Sequence, residues 1–99
     1  MAYIVITGSF PPHVSKEVGK KFLELEKLPD YIKTEHVFNT SQGDYAFFTI
    51  YKLEDDSKYF DALKAITKRF SGYMDVVGYK YTLHPVLEAK DALSMVGLG

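Results

Sequence analysis

The sequence predicts an α+β domain running strand-helix-strand-strand-helix-strand, followed by a short helical tail. Three observations carry that expectation. Two stretches repeat apolar residues at helical spacing, four are rich in β-branched and aromatic residues, and two of those four are separated only by a turn-forming tetrapeptide. A chain of 99 residues suits one domain, residues 1–99, with a core at 2–85 and a tail at 86–99. The 46% hydrophobic content and the balance of 12 basic against 13 acidic residues exclude disorder by composition. There is no cysteine, so disulfides and thiolate chemistry are excluded and nothing suggests secretion. The apolar runs fall short of the roughly 20 residues a membrane helix needs, and no basic flank of a signal peptide follows Met1. The expected location is cytoplasmic, without a membrane partner. A net charge of −1 makes a nucleic-acid partner unlikely, because phosphate binding draws on a basic face.

The first strand is AYIVITGSF at 2–10, broken by Pro11-Pro12. Val14, Val18, Phe22, Leu25 and Leu28 then recur at steps of four, four, three and three, which predicts a helix closed by Pro29. Gly19 inside that helix costs up to about 1 kcal/mol relative to Ala, and close packing on a sheet is the structural reason it suggests. Tyr31–Asn39 and Asp44–Leu53 read as two strands of a hairpin joined by Thr40-Ser41-Gln42-Gly43. Asp55-Asp56-Ser57 supplies a cap and negative charge for a second helix with Tyr59, Leu63, Ile66 and Phe70 as its buried stripe. Lys68-Arg69 occupy its last turn and Gly72 its C-terminal end. Residues 73–84, YMDVVGYKYTLH, form the last strand, with Pro85 at its end or on a sheet edge. Val86, Ala89, Leu93 and Val96 give a final amphipathic helix.

Two helices between four strands in this order suggest a ferredoxin-like β-α-β-β-α-β sandwich. It would have a four-stranded antiparallel sheet, both helices on one face and the first and third strands central. Ile4 and Ile6 with Ala46, Phe48 and Ile50 are expected to face the helices. Tyr3, Val5 and Thr7 with Tyr45, Phe47, Thr49 and Tyr51 then form an aromatic outer face of a kind soluble monomers rarely expose. Either the tail helix or a second copy of the sheet should cover it. In element order and in this apolar face the chain resembles the dimeric α/β barrel group of ferredoxin-like folds over residues 2–85. That resemblance implies a homodimer joined through Tyr3, Val5, Phe47, Thr49, Tyr51, Tyr79 and Tyr81, with a small-molecule pocket between sheet and helices. A bulge at Gly78 would reverse the facing of Tyr79 and Tyr81.

YAFFTI at 45–50 also fits the aromatic core of the third-strand motif of RNA-recognition domains, and AYIVITG puts Tyr3 where their first strand carries a stacking aromatic. The expected basic residue and adjoining glycine become Gln42-Gly43 with Asp44 inserted, and the Asn-Leu ending of the first motif becomes Thr7-Gly8.

His13, His36 and His84 lack metal-ligand spacing, so no metal is expected. Pairing Asn39 with Tyr45 would set His36 beside Phe48 under the helices, whereas pairing Asn39 with Asp44 would turn it outward. The first register is favoured because Ile32, Thr34, His36 and Phe38 are more apolar than Lys33, Glu35, Val37 and Asn39. Thr34, His36, Phe48 and Tyr59 are therefore the expected binding residues, and His36 the candidate acid or base. The expected function is a homodimer that binds a small apolar or aromatic molecule, with cofactor-free proton transfer as its catalytic form. A non-catalytic ligand-binding or regulatory module and a single-strand RNA binder are the alternatives.

Overall fold

Local pattern and local termination agree for most of the chain. The computed structural model describes residues 2–99. Its elements are β1 (Ala2–Phe10), a 3-10 turn (Pro12–Val14), α1 (Ser15–Glu24), β2 (Ile32–Gln42), β3 (Asp44–Leu53), a second 3-10 turn (Asp56–Lys58), α2 (Tyr59–Ser71), β4 (Lys80–Val86) and α3 (Ala89–Met95). The four strands form one antiparallel sheet in the order β2-β3-β1-β4. Element order and central β1 and β3 agree with a ferredoxin-like sandwich. Asp55 caps the entry to the α2 region, accepting from Ser57 N at 3.0 Å and from Ser57 Oγ at 2.6 Å. Gly43, at φ 88°, takes the left-handed position of the β2-β3 turn. Pro85 lies within β4, an edge strand, where a missing N–H donor is tolerated.

Three elements differ from the sequence expectation. β2 runs on from Asn39 through Thr40, Ser41 and Gln42, pairing with Asp44 to Ala46, so the turn is confined to Gly43. α1 stops at Glu24, and Leu25 is already extended at ψ 145°, so the segment holding Leu25 and Leu28 is loop. β4 starts only at Lys80. Residues 73–79 instead continue from α2 as successive turns, with Tyr73 N bonded to Phe70 O, Val76 N to Tyr73 O and Tyr79 N to Val76 O. Those turns bury Tyr73 and Val76 behind Phe70.

The largest correction concerns the faces of the sheet. Ile4 pairs with Tyr51 and Ile6 with Thr49, so the even positions of β1 share a face with the odd positions of β3. The inner face, toward the helices, therefore holds Ile4, Ile6 and Phe10 with Phe47, Thr49, Tyr51 and Leu53, all buried. Ala46, Phe48 and Ile50 are turned to the outer face with Tyr3, Val5 and Thr7. In β2 the register shifts between Thr34 and His36. This bulge leaves Thr34 opposite Tyr51 on the inner face and His36 opposite Ile50 on the outer one. Tyr81, opposite Gly8, faces inward, and Gly78 (φ 82°) is a turn residue ahead of β4 rather than a bulge within it.

The core joins that inner face to Ala62, Ile66 and Phe70 of α2, with Ile4, Ile6, Leu53 and Ile66 fully enclosed. Each such side chain contributes about 1.5–3 kcal/mol relative to exposure. Gly8 is required by packing, since a Cβ there would overlap both the Phe47 ring and the Lys80 carbonyl. Gly19 has no such reason: a Cβ at that position would meet nothing within 4 Å. α3 lies away from the core, with every residue from Ala89 to Gly99 exposed. The radius of gyration, 15.1 Å, exceeds the ~13 Å of a compact chain of this length.

Candidate functional site

α2 joins the core of the sheet's inner face through Ala62, Ile66 and Phe70, while α1 and the loop after it lie across the cavity from β2 and β3. That cavity has a volume of about 650 Å³. Its floor is the inner face of β3, with Phe47, Thr49 and Tyr51, and its roof is α1, with Val18 and Phe22. Leu25, Leu28 and Ile32 close one side, and Phe70, Tyr73 and Tyr79 the other. Phe22, Leu23, Val37 and Asn39 line it while exposed, which marks its mouth between α1 and the β2 edge.

The aromatic wall is built by stacking. The rings of Tyr73 and Tyr79 lie 4.5 Å apart at an interplanar angle of 7°, and Tyr79 also stacks on Phe10 at 6.0 Å and Phe47 at 5.6 Å. One cation is set into this wall. Arg69 lies three residues after Ile66 and four before Tyr73, so the helix periodicity brings it to the core side of α2. Its Nη1 donates to the Glu26 carbonyl at 2.7 Å and its Nη2 to the Phe22 carbonyl at 3.4 Å, tying the end of α1 to α2. Its guanidinium lies 5.6 Å from the Phe22 ring and is close enough to Tyr51 to favour the ionised form of that hydroxyl.

Burial sets the protonation of this group. It pushes the Tyr51 hydroxyl up to about 12, against an opposing pull from Arg69. Tyr79 is also raised, by burial first and then by the neighbouring Tyr73 and Tyr51, and burial raises Tyr73. All three hydroxyls are therefore neutral at pH 7. Among the described residues, the hydroxyls of Thr49, Tyr73 and Tyr79 have no hydrogen-bond partner, although all three residues line the cavity. Among the described residues, the charged ones on the wall are Arg69 and Lys27, and no Asp, Glu or His lines it.

The expected binding residues are split by the sheet. Thr34 lines the cavity. His36 and Phe48 share a face, as the favoured register required, but it is the outer one, where the His36 ring stacks on Phe38 at 5.3 Å and Phe38 lies 4.8 Å from Phe48. Tyr59 sits half-buried against the core at the start of α2, outside the cavity wall. Of the expected interface residues, Tyr3 and Val5 lie on the outer face. Phe47, Thr49, Tyr51 and Tyr79 line the cavity instead, and Tyr81 packs inward on Phe70 at 5.3 Å. Tyr45 and Phe47, central to the RNA-recognition resemblance, also face inward: Tyr45 meets Phe10 edge to face at 5.9 Å. His84 is half-buried on the outer face, with Nε2 2.8 Å from Thr7 Oγ1. Among the described residues, no three of His, Asp and Glu come together as a metal-holding group, and no helix is long and apolar enough to cross a membrane.

Arg69 was the residue that sequence reasoning missed as a site residue. It is the only arginine in the chain, and its place on the apolar stripe Ala62, Ile66, Tyr73 was a usable signal.

No protein-family model matches the chain, and no curated protein matches it. Among solved structures it is similar to a de novo designed protein, Foldit4, with a TM-score of 0.60 and 8% identity over 88% of this chain and 97% of that one. This likeness speaks to the fold alone. A tripeptidase from Staphylococcus aureus is similar at a TM-score of 0.48 and 10% identity, over 99% of this chain and 36% of the tripeptidase. A likeness that weak carries no argument here.

Proposed function

We propose that this protein binds a small, largely apolar molecule in the cavity between its sheet and α1, and that it does so as a homodimer of the dimeric α/β barrel kind. The cavity carries the reading. Its volume, about 650 Å³, falls within the roughly 300–1,000 Å³ usual for ligand sites, and its apolar walls surround a few convergent polar groups. Binding is favoured over proton-transfer catalysis because among the described residues no His, Asp or Glu lines the wall and its tyrosines are held protonated. His36, on the outer face, has no access to it.

The outer face supports the homodimer. Phe38, Phe48 and Val86 are exposed there, near the half-buried Tyr3 and Val5, and α3 does not cover them. Face-to-face association of two such sheets would bury the patch in one self-complementary contact. The RNA reading draws little support, because only Tyr3 and Phe48 remain as outward aromatics on the two central strands.

Thermal melting against a panel of small aromatic and aliphatic compounds tests the cavity. Compounds that fit should raise the melting temperature in proportion to occupancy, and Val18→Trp, which fills the cavity, should abolish the response. A panel in which nothing shifts the melt would sink the reading.

A further inference from the structure

The cavity wall is electrostatically one-sided. Arg69 is half-buried, and among the described residues no carboxylate forms a salt bridge with it; the ion pairs are Lys21 with Asp75 and Lys52 with Glu35. A half-buried cation without a counter-charge is costly unless something compensates it. The backbone carbonyls of Glu26 and Phe22 do so in part. They engage two of the five N–H donors a guanidinium offers. The hydroxyls of Thr49, Tyr73 and Tyr79 line the same cavity with no partner among the described residues, and Lys27 adds a second positive charge.

We propose that the ligand is an organic anion, an apolar body bearing one carboxylate or similarly charged oxygen group. The anionic group pairs with Arg69 and accepts hydrogen bonds from the unpartnered wall hydroxyls, while the body lies among Val18, Phe22, Leu28 and Phe47. This rests on the cavity being the ligand site and adds the charge of what it holds. The geometry suits it, since neutral donors and a preorganised cation in a partly dry pocket strengthen a charge-assisted hydrogen bond. Burial keeps the tyrosine hydroxyls protonated, so they do not repel an anion.

The test is calorimetric titration of the full chain at pH 7 with matched acid and amide pairs: benzoate and benzamide, 2-naphthoate and 2-naphthamide, octanoate and octanamide. At least one acid should bind on the order of tenfold more tightly than its amide, as expected of one charge-assisted hydrogen-bond group. Arg69→Gln should remove that preference, bringing acid and amide affinities within about twofold of each other, and Arg69→Lys should keep part of it. Arg69 also ties α1 to α2, so Tyr79→Phe serves where Arg69→Gln fails to fold; it should weaken the acid about threefold more than the amide. Equal affinity for acid and amide overturns the anion inference and leaves the cavity standing. Failure of every acid and amide to bind overturns both.

Discussion

The two faces of the sheet are both apolar, yet the chain treats them differently. The inner face is covered by α2 and by the turns that follow it, and beneath α1 lies a partly open cavity holding Arg69 and three hydroxyls without a partner among the described residues. The outer face carries Tyr3, Val5, Phe38 and Phe48, and among the described residues the tail helix expected to cover it is exposed from Ala89 to Gly99. Apolarity alone thus does not say what a face is for. The inner face makes the fold and a cavity; the outer face is the surface that the proposed homodimer would bury.

The contrast is broken most severely from the inside. Ile66→Ala removes an enclosed side chain at the centre of α2 and should lower stability by about 2–5 kcal/mol, read by urea denaturation. A loss below about 1 kcal/mol would mean that α2 does not hold the core as described. Phe48→Asp tests the outer face. It should cost the monomer about 1 kcal/mol through the lost Phe38 contact and poor strand propensity, while weakening self-association on the order of 30-fold or more, as for a hot-spot truncation. Light scattering across a concentration series reads this, and a wild-type mass of 11.3 kDa at every concentration would remove the homodimer.

A smaller effect follows from the inner tyrosines. Tyr51 is pushed up to about 12, so its folded form favours the proton. The stability this brings is complete below the ordinary tyrosine value of about 10 and declines as pH rises, disappearing once pH passes about 12. Melts should hold level to about pH 10 and then fall, and Tyr51→Phe should soften that fall. A flat profile to pH 12 would show that Tyr51 is not buried as described. Smallest of all, Asp75→Asn removes the exposed Lys21–Asp75 pair, at 3.0 Å, and should not move the melting temperature measurably.

Element order was legible because it depends on local signals. Pro11-Pro12 ends β1, Asp55 caps the α2 region, and Thr40 to Gly43 marks the hairpin. The facing of β3 was not. Tyr45, Phe47, Thr49 and Tyr51 are about as apolar as Ala46, Phe48 and Ile50, so alternation along the strand carries no information about which set meets the helices. The β1–β3 register decides it, and that is a long-range property. The bulge between Thr34 and His36 compounded the error by sending two same-parity residues to opposite faces. The segment from Tyr73 to Gly78 was read as strand from its β-branched and aromatic content. Yet Ile66, Phe70, Tyr73 and Val76 run at steps of four, three and three, which continues the helical period of α2. The same features separated the expected binding residues: of the four, Thr34 lines the cavity, and Arg69 was read as a helix-end charge.

The most direct test of two faces with two occupants is backbone NMR of the protein titrated with 2-naphthoate. Shift changes should gather at Val18, Phe22, Thr49, Arg69 and Tyr73, with Tyr3, Val5 and Phe48 unmoved. Changes concentrated on Tyr3, Val5 and Phe48 would place the ligand on the outer face and contradict the account.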